Sequence, residues 1–251
     1  EELGVVFFAS AFDIPSFEFL MKLNIPIIKI ASHSITNGPL LQKIAQSQIP
    51  VICSIGGTSE KETKKALDIL TPNKKIIMHC TSTYPTPDNL VFIDTIDYLK
   101  EKYKLPVGFS SHENGIDISY AAAIMGACII ERHFTIERAM VGLDQMISLN
   151  PDEFSDLAKK VKRVYNIRGI KKEIDKTEYA AKYNYHVGLY ANKDISKGMV
   201  IKEEDINCLQ PLISPDLYFT GLEVDKIIGM KALIDIGKNM IISRKAISIN
   251  Q

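Results

Sequence analysis

GFSSHENGIDISYAAAIMGACIIERHFT, residues 108–135, reads as a strand, a helix and a second strand. The first strand ends in Ser110-Ser111-His112, an Ala-rich helical stretch follows, and a buried apolar run ends in Glu131-Arg132-His133. In a parallel βαβ unit both strands point the same way, so polar residues at their C-terminal ends face one crevice. His112 and His133 are therefore expected close in space. Two imidazoles so placed, with Ser and Glu beside them, can hold a divalent metal and leave positions open for substrate oxygens. The plain structural alternative is a pair of hydrogen-bonded histidines at a strand edge.

Working outward, the same alternation recurs along the chain. Apolar β-rich runs occur at VVFFAS (5–10), IIKIAS (27–32), PVICSIG (50–56), KIIMHC (75–80), VGFSSH (107–112) and CIIERHF (128–134). Helical segments are expected around 16–23, from Gly38-Pro39, from Ser59 with Glu62 as a capping box, up to about Tyr103, and from Asn150-Pro151 to about Tyr165. Six such units, with continuous rather than alternating apolar strands, imply a parallel sheet covered by helices. Each strand ends in a small or polar group: Ser10, Ser32, Ser54 with Gly56, Cys80 to Ser82, Ser110 to His112, and Glu131 to His133. Chemistry supplied by every strand end suits a barrel mouth, whereas an open sheet concentrates its site at one switch point. The fold class expected is therefore α/β, a (β/α)₈ TIM barrel with six of its eight units in this chain. Residue 1 is Glu rather than Met, and the first two βα units are expected to be lacking.

A Lys-rich segment over 159–182 then gives way, from about His186, to short runs and turns. Asp194 to Gly198 and Asp235 to Lys238 repeat one turn signal, each copy followed by apolar residues. The expected organisation is a barrel domain over 1–165, a linker over 166–185 and a small β-rich domain over 186–251.

Composition narrows the function. The 251 residues carry 30 basic and 30 acidic side chains, so no global field attracts nucleic acid or an anionic membrane. No apolar run approaches the length of a membrane span and no basic-then-apolar leader opens the chain, so a cytoplasmic protein is expected. Cys53, Cys80, Cys128 and Cys208 form no CxxC pair and are expected as buried reduced thiols.

Lys29 and Ser32 end one strand; Ser54 near Gly56-Gly57, Ser82 and Ser110 come from the next three strand ends. A lysine ringed by hydroxyls and Gly-rich backbone amides suits a phosphate or carboxylate cradle. The same lysine could form a Schiff base or pair with a structural carboxylate.

With these residues in view the chain resembles a known family. Lys29-Ile-Ala-Ser32, Ser54-Ile-Gly56, HCTSTYPTP (79–87), GFSSH (108–112), ERHFT (131–135), GLDQMISLNPDEF (142–154) and NKDISKGMVI (192–201) are similar, in order, to the sialic acid synthase family. That family comprises N-acetylneuraminate synthase and its legionaminate, pseudaminate and spore-coat-polysaccharide relatives. The resemblance covers almost the whole chain. It implies a (β/α)₈ barrel followed by a small antifreeze-like (SAF) domain in a domain-swapped homodimer. It further implies condensation of phosphoenolpyruvate with an acylamino sugar in its open-chain aldehyde form, with Mn²⁺, or Mg²⁺ or Co²⁺ in its place. On this resemblance His112 and His133 are the metal ligands. Lys29, Ser32, Ser54, Ser82 and Ser110 hold phosphoenolpyruvate, and Tyr84 and Asp144 face the sugar.

The chain also departs from the family pattern. The lacking strands would carry a glutamate and a lysine of the site, and Gln210-Pro211 stands where the family has an arginine before proline. His33 follows Ser32, and Ser82 replaces a frequent Asn. His79 is expected as a core residue and His186 as a linker residue. The competing readings are another metal-dependent barrel aldolase, such as a Schiff-base enzyme using Lys29, and a non-catalytic carbohydrate-binding or assembly homologue.

Overall fold

The computed structural model describes residues 3–248. Five apolar runs form strands: β1 (Ile28–Ile30), β2 (Val51–Ser54), β3 (Lys75–Cys80), β4 (Val107–Ser111) and β5 (Ile130–Arg132). They pair in parallel and in sequential order, with Lys29 opposite Ile52, Ser54 opposite Met78, Cys80 opposite Ser110, and Ser110 opposite Glu131. Between and after them run α1 (Ile14–Lys22), α2 (Gly38–Ser47), α3 (Glu60–Ile69), α4 (Thr95–Tyr103), α5 (Asp117–Ile124) and α6 (Pro151–Ile167).

Short polar side chains start α1, α2, α3 and α6 by accepting from otherwise unpaired first-turn amides. Asp13 Oδ1 accepts from Ser16 N at 2.7 Å, and Asn37 Oδ1 from Leu40 N at 3.2 Å. Ser59 with Glu62 and Asn150 with Glu153 form reciprocal capping boxes, as the sequence spacing predicts.

Strand alternation divides the side chains between two faces. Ile28, Ile30, Val51 and Cys53 pack with Leu40, Leu41 and Ile44 of α2 in one core cluster. Ile77, Val107 and Phe109 pack with Ile96 and Leu99 of α4 and Ala122 of α5 in another. Full burial of each such Ile or Leu contributes about 1.5–3 kcal/mol, so the helix-facing layer fixes which way every intervening residue points. Gly108 belongs to the other face. A Cβ there would lie 2.3 Å from Met78 Sδ and 2.9 Å from the Ile129 carbonyl, so only glycine lets β3 and β4 approach at this level.

Two expectations are corrected. Residues 5–10 were expected as a sixth strand, but among the described residues only Ser10 bridges Lys29, with Lys29 N donating to the Ala9 carbonyl. Val5, Val6 and Phe7 stay exposed, because no neighbour covers their apolar side chains or extends the ladder. The run at 128–134 shortens to β5, with Phe134 bridging Leu149 instead. As a result Cys128 precedes the strand and is exposed, as is Cys208, while Cys53 and Cys80 are buried; all four are free thiols.

The chain divides into two compact units, residues 1–168 and 169–251. The second holds α7 (Tyr179–Tyr185) and an antiparallel pair, β6 (Gly188–Ala191) and β7 (Ile206–Leu209), extended by single antiparallel bridges. Leu189, Ile195, Ile201, Phe219, Ile227, Ile236 and Ile242 form its core. The repeated turn signal has a reciprocal use. Asp194 Oδ1 accepts from Lys238 N at 2.7 Å and Asp235 Oδ1 from Lys197 N at 2.6 Å, while Ile195 and Ile236 exchange both backbone hydrogen bonds. Among the described residues no helix is long and apolar enough to cross a membrane.

A bidentate ion pair of this unit joins Arg244 to Glu223, with Nη2 to Oε2 at 2.6 Å and Nη1 to Oε1 at 3.1 Å. The Arg244 hydrogen bonds hold the Glu223 carboxyl at about 2, against a usual value of 4.5 and against the opposing effect of burial. A carboxyl lowered by folding stabilises the folded state fully above its unfolded value and loses that effect as pH falls through the folded value. Replacing Glu223 with Gln is therefore expected to lower stability at neutral pH by about 1–3 kcal/mol. It should also flatten the loss of stability between pH 4.5 and about 2. Urea unfolding followed across that pH range checks both.

Candidate active site

The face of the sheet opposite the helices lines a cavity of about 710 Å³. Every site residue expected from the sequence lies on its wall: Lys29, Ser32, Ser54, Ser82, Tyr84, Ser110, His112, His133 and Asp144. Alternation explains the grouping. Ser110 and His112 are two apart at the end of β4, and Glu131 and His133 are two apart at the end of β5, so each pair projects from one face.

The floor is a buried polar cluster. Lys29 is 7% exposed, and its Nζ lies 3.3 Å from Glu131 Oε1, which also accepts from Ser110 Oγ at 2.8 Å. Ser54 is 2% exposed, and its Oγ has no hydrogen-bond partner among the described residues. A buried hydroxyl left unpaired costs free energy unless a ligand or water meets it, so Ser54 marks where an acceptor belongs. Nearby, Ser32 Oγ accepts from Gly56 N at 3.0 Å. A Cβ on Gly56 would stand 2.4 Å from Ser82 Oγ and 3.0 Å from both Ser32 Oγ and Cys80 Sγ. Glycine thus keeps open a small space bounded by two hydroxyls, a thiol and backbone.

Above the floor stand the two histidines, with ring centroids 5.3 Å apart. His112 Nδ1 is 2.9 Å from the Thr81 carbonyl, which can only accept, so Nδ1 carries the proton and Nε2 presents a lone pair. Burial, reinforced by His133, pushes the His112 pKa below the usual imidazole value, against the Thr81 hydrogen bond. His112 is therefore neutral at physiological pH. His133 Nδ1 lies 3.7 Å from Asp144 Oδ2 at the half-open rim. The Tyr84 ring covers His112 at 4.0 Å and meets His133 edge-on at 6.1 Å. Burial first, then the charges of Cys80, Asp144 and Glu131, raise the Tyr84 phenol, which remains a protonated donor.

The sequence placed Ser10 and Glu131 at strand ends facing the mouth without giving them a role, gave no signal for Phe12, and left His33 as either a loop histidine or a substrate contact, the former preferred. Its ring stacks on Phe12 at 4.7 Å, and both line the cavity. Glu131 had a legible signal, since it precedes His133 by two on one strand. His79, by contrast, faces the helices, where Nε2 meets the Val91 carbonyl at 2.7 Å, and burial lowers its pKa. Among the described residues no group of three or more His, Cys, Asp or Glu side chains is arranged to hold a metal, so the two imidazoles stand as a pair.

Residues 1–173 match the model of the NeuB family. Over 219 residues the chain is 35% identical to the N,N'-diacetyllegionaminic acid synthase of Campylobacter jejuni, covering 84% of this chain and 65% of that protein. The chain thus spans less than two thirds of that relative's length. Among solved structures, the N-acetylneuraminic acid synthetase of Leptospira borgpetersenii, crystallised with citrate, superposes with a TM-score of 0.68 at 36% identity. That match covers 72% of this chain and 64% of the other. A Chromobacterium violaceum protein named for spore coat polysaccharide biosynthesis (protein E) gives a TM-score of 0.80 at 25% identity, over 98% of this chain and 74% of its own. The family model covers well over half of the sequence, and this chain belongs to the NeuB family.

Proposed function

We propose that this chain forms the site of a nonulosonic acid synthase, which condenses phosphoenolpyruvate with the open-chain aldehyde of an acylamino sugar and releases phosphate. The observation that carries the reading is the meeting, in one cavity, of a buried lysine, an unpaired serine hydroxyl and two adjacent imidazoles. The relatives named as legionaminic acid and N-acetylneuraminic acid synthases support nonulosonic acid synthesis. The reading includes the rest of a (β/α)₈ barrel, an antifreeze-like second domain, a swapped homodimer and a cytoplasmic setting.

In this reading Lys29 and the hydroxyls of Ser32, Ser54, Ser82 and Ser110 bind the anionic groups of phosphoenolpyruvate, with the space kept by Gly56 admitting an oxygen close to the backbone. The enol carbon attacks the aldehyde carbon, water adds to the resulting cationic carbon, and the carbon–oxygen bond to phosphate breaks to leave the keto acid. His112 and His133 fit a divalent ion. Nε2 of His112 is free, the ring is neutral, and imidazole suits Mn²⁺ and Co²⁺. Such an ion supplies Lewis acidity at the aldehyde oxygen when bound. Tyr84 and Asp144, each about half exposed, stand at the rim, where they can position the sugar. Gln210, at the family arginine's place, donates its amide to the Tyr185 carbonyl, so that position offers no guanidinium fork.

The Schiff-base reading loses support from the same geometry. A nucleophilic amine must be free to approach a carbonyl carbon, and the Lys29 Nζ is engaged by Glu131 Oε1 at 3.3 Å. Borohydride added during turnover with phosphoenolpyruvate and sugar is expected to trap no adduct on Lys29, with intact-mass analysis as the measurement.

Lys29→Met is expected to weaken phosphoenolpyruvate binding about 10- to 100-fold through loss of a charge-assisted contact. The affinity for the acylamino sugar should stay within about twofold, as the rim groups Tyr84 and Asp144, and not Lys29, position it. Isothermal titration with each substrate checks the split.

His112→Ala is expected to abolish Mn²⁺ binding in equilibrium titrations. In the wild-type chain a proton competes with the ion for Nε2, and the lowered pKa delays that competition. A Mn²⁺ affinity unchanged by the substitution would place the ion elsewhere.

A further inference from the structure

Arg132 and Glu113 lie on the face of the sheet opposite the cavity, and each is one residue from a member of the histidine pair. Their side chains are both 1% exposed, and Arg132 Nη1 lies 2.9 Å from Glu113 Oε1. The guanidinium does more than pair a charge. Nη2 donates to the Glu113 carbonyl at 2.6 Å, and Nη1 to the Gly115 carbonyl at 2.6 Å and to Ser119 Oγ at 3.0 Å. Ser119 in turn donates to Glu113 Oε1 at 2.7 Å and meets Ser111 Oγ at 3.0 Å.

The backbone ladder between β4 and β5 ends at Ser111 opposite Arg132, one residue before each imidazole. Beyond that point the two chains hold to other partners. The His112 carbonyl accepts from Thr86 N, and the His133 carbonyl from Leu149 N. Where the ladder stops, the Arg132 fork is the direct tie between the chain leaving His112 and the chain entering His133. Three carbonyls, those of Glu113, Gly115 and, at 3.5 Å, Ile147, accept from one rigid planar group together with a carboxylate and a hydroxyl, so its position is over-determined.

We infer that the Arg132–Glu113 pair is a positioning device that sets the separation of His112 and His133 for a divalent ion, an inference resting on the reading of that pair as metal ligands. Neither side chain touches the ion or a substrate. Their effect passes through the backbone to the two rings, as hydrogen-bonded partners of metal ligands commonly do.

Equilibrium titration of the purified chain with Mn²⁺, and the visible absorption of bound Co²⁺, test this. Removing one partner of a buried pair leaves an uncompensated charge and endangers folding, so the informative change is the double replacement Arg132→Met with Glu113→Leu. That variant is expected to keep its circular dichroism and melting transition, bind Mn²⁺ about tenfold more weakly or worse, and show a shifted Co²⁺ spectrum. A folded double variant with unchanged affinity and spectrum overturns the inference. Should it not fold, Arg132→Lys keeps the charge and loses the fork. A several-fold weaker Mn²⁺ affinity then supports the inference, and wild-type affinity overturns it. Failure of the wild-type chain itself to bind Mn²⁺ would instead overturn the metal reading, and the inference with it, so the two failures are told apart by which protein shows them.

Discussion

Lys29 sits on β1 and Glu131 on β5, the outermost strands of the sheet, yet their side chains meet at 3.3 Å. Five parallel strands laid flat would put those two edges about 19 Å apart, beyond the combined reach of a lysine and a glutamate side chain. The sheet must therefore curl, and the ion pair spans its concave face. Much else depends on this contact. An ammonium as buried as Lys29 needs a counter-charge to remain charged. Glu131 supplies it, with Ser110 holding the shared oxygen. The carboxylate itself is partly exposed.

The curl and the alternation of strand side chains together explain what could be read in advance. Residues at the last strand positions were legible because alternation is strict. Once Ile28, Ile30, Val51, Cys53 and Val107 are assigned to the helix side, Lys29, Ser54 and Ser110 have nowhere else to point. Edges were less legible. Val5 to Phe8 has the composition of a strand, but composition reports what a segment can pair with and not whether a partner is there. Arg132 illustrates a third case. A charged residue between a glutamate and a histidine reads as polar strand-end decoration, and its burial depends on Glu113, which lies beyond a different strand. Such long-range pairing has no local spacing to betray it.

The second unit shows local chemistry building a fold with little regular structure. Its two Asp-Ile turns cap each other. Each carboxylate accepts an amide from the other turn, and the isoleucines between them exchange backbone bonds. The repeated signal in the sequence is thus one interaction made twice, related by an approximate two-fold within the unit. Gly198, at a φ of 84°, lets the first copy reverse without the strain a side chain would meet there. Apolar residues following each copy then reach a common core, in which Ile195, Ile201, Ile236 and Ile242 are all buried. Loops of this kind can be held firmly by side-chain acceptors where long strands are absent.

Returning to the cavity, burial separates two kinds of residue. Lys29, Ser54 and Ser110 are buried and borne on strands, whose positions the core fixes to within the tolerance that chemistry on a small anion needs. Tyr84 and Asp144 come from loops and are half exposed, and His133 lies between these extremes. A group that every member of a reaction class must bind is best placed on the rigid floor, and groups that distinguish one acceptor from another belong on the adaptable rim. The same reasoning applies to Gln210. An amide already engaged by the Tyr185 carbonyl is neither charged nor free to fork around a ligand oxygen.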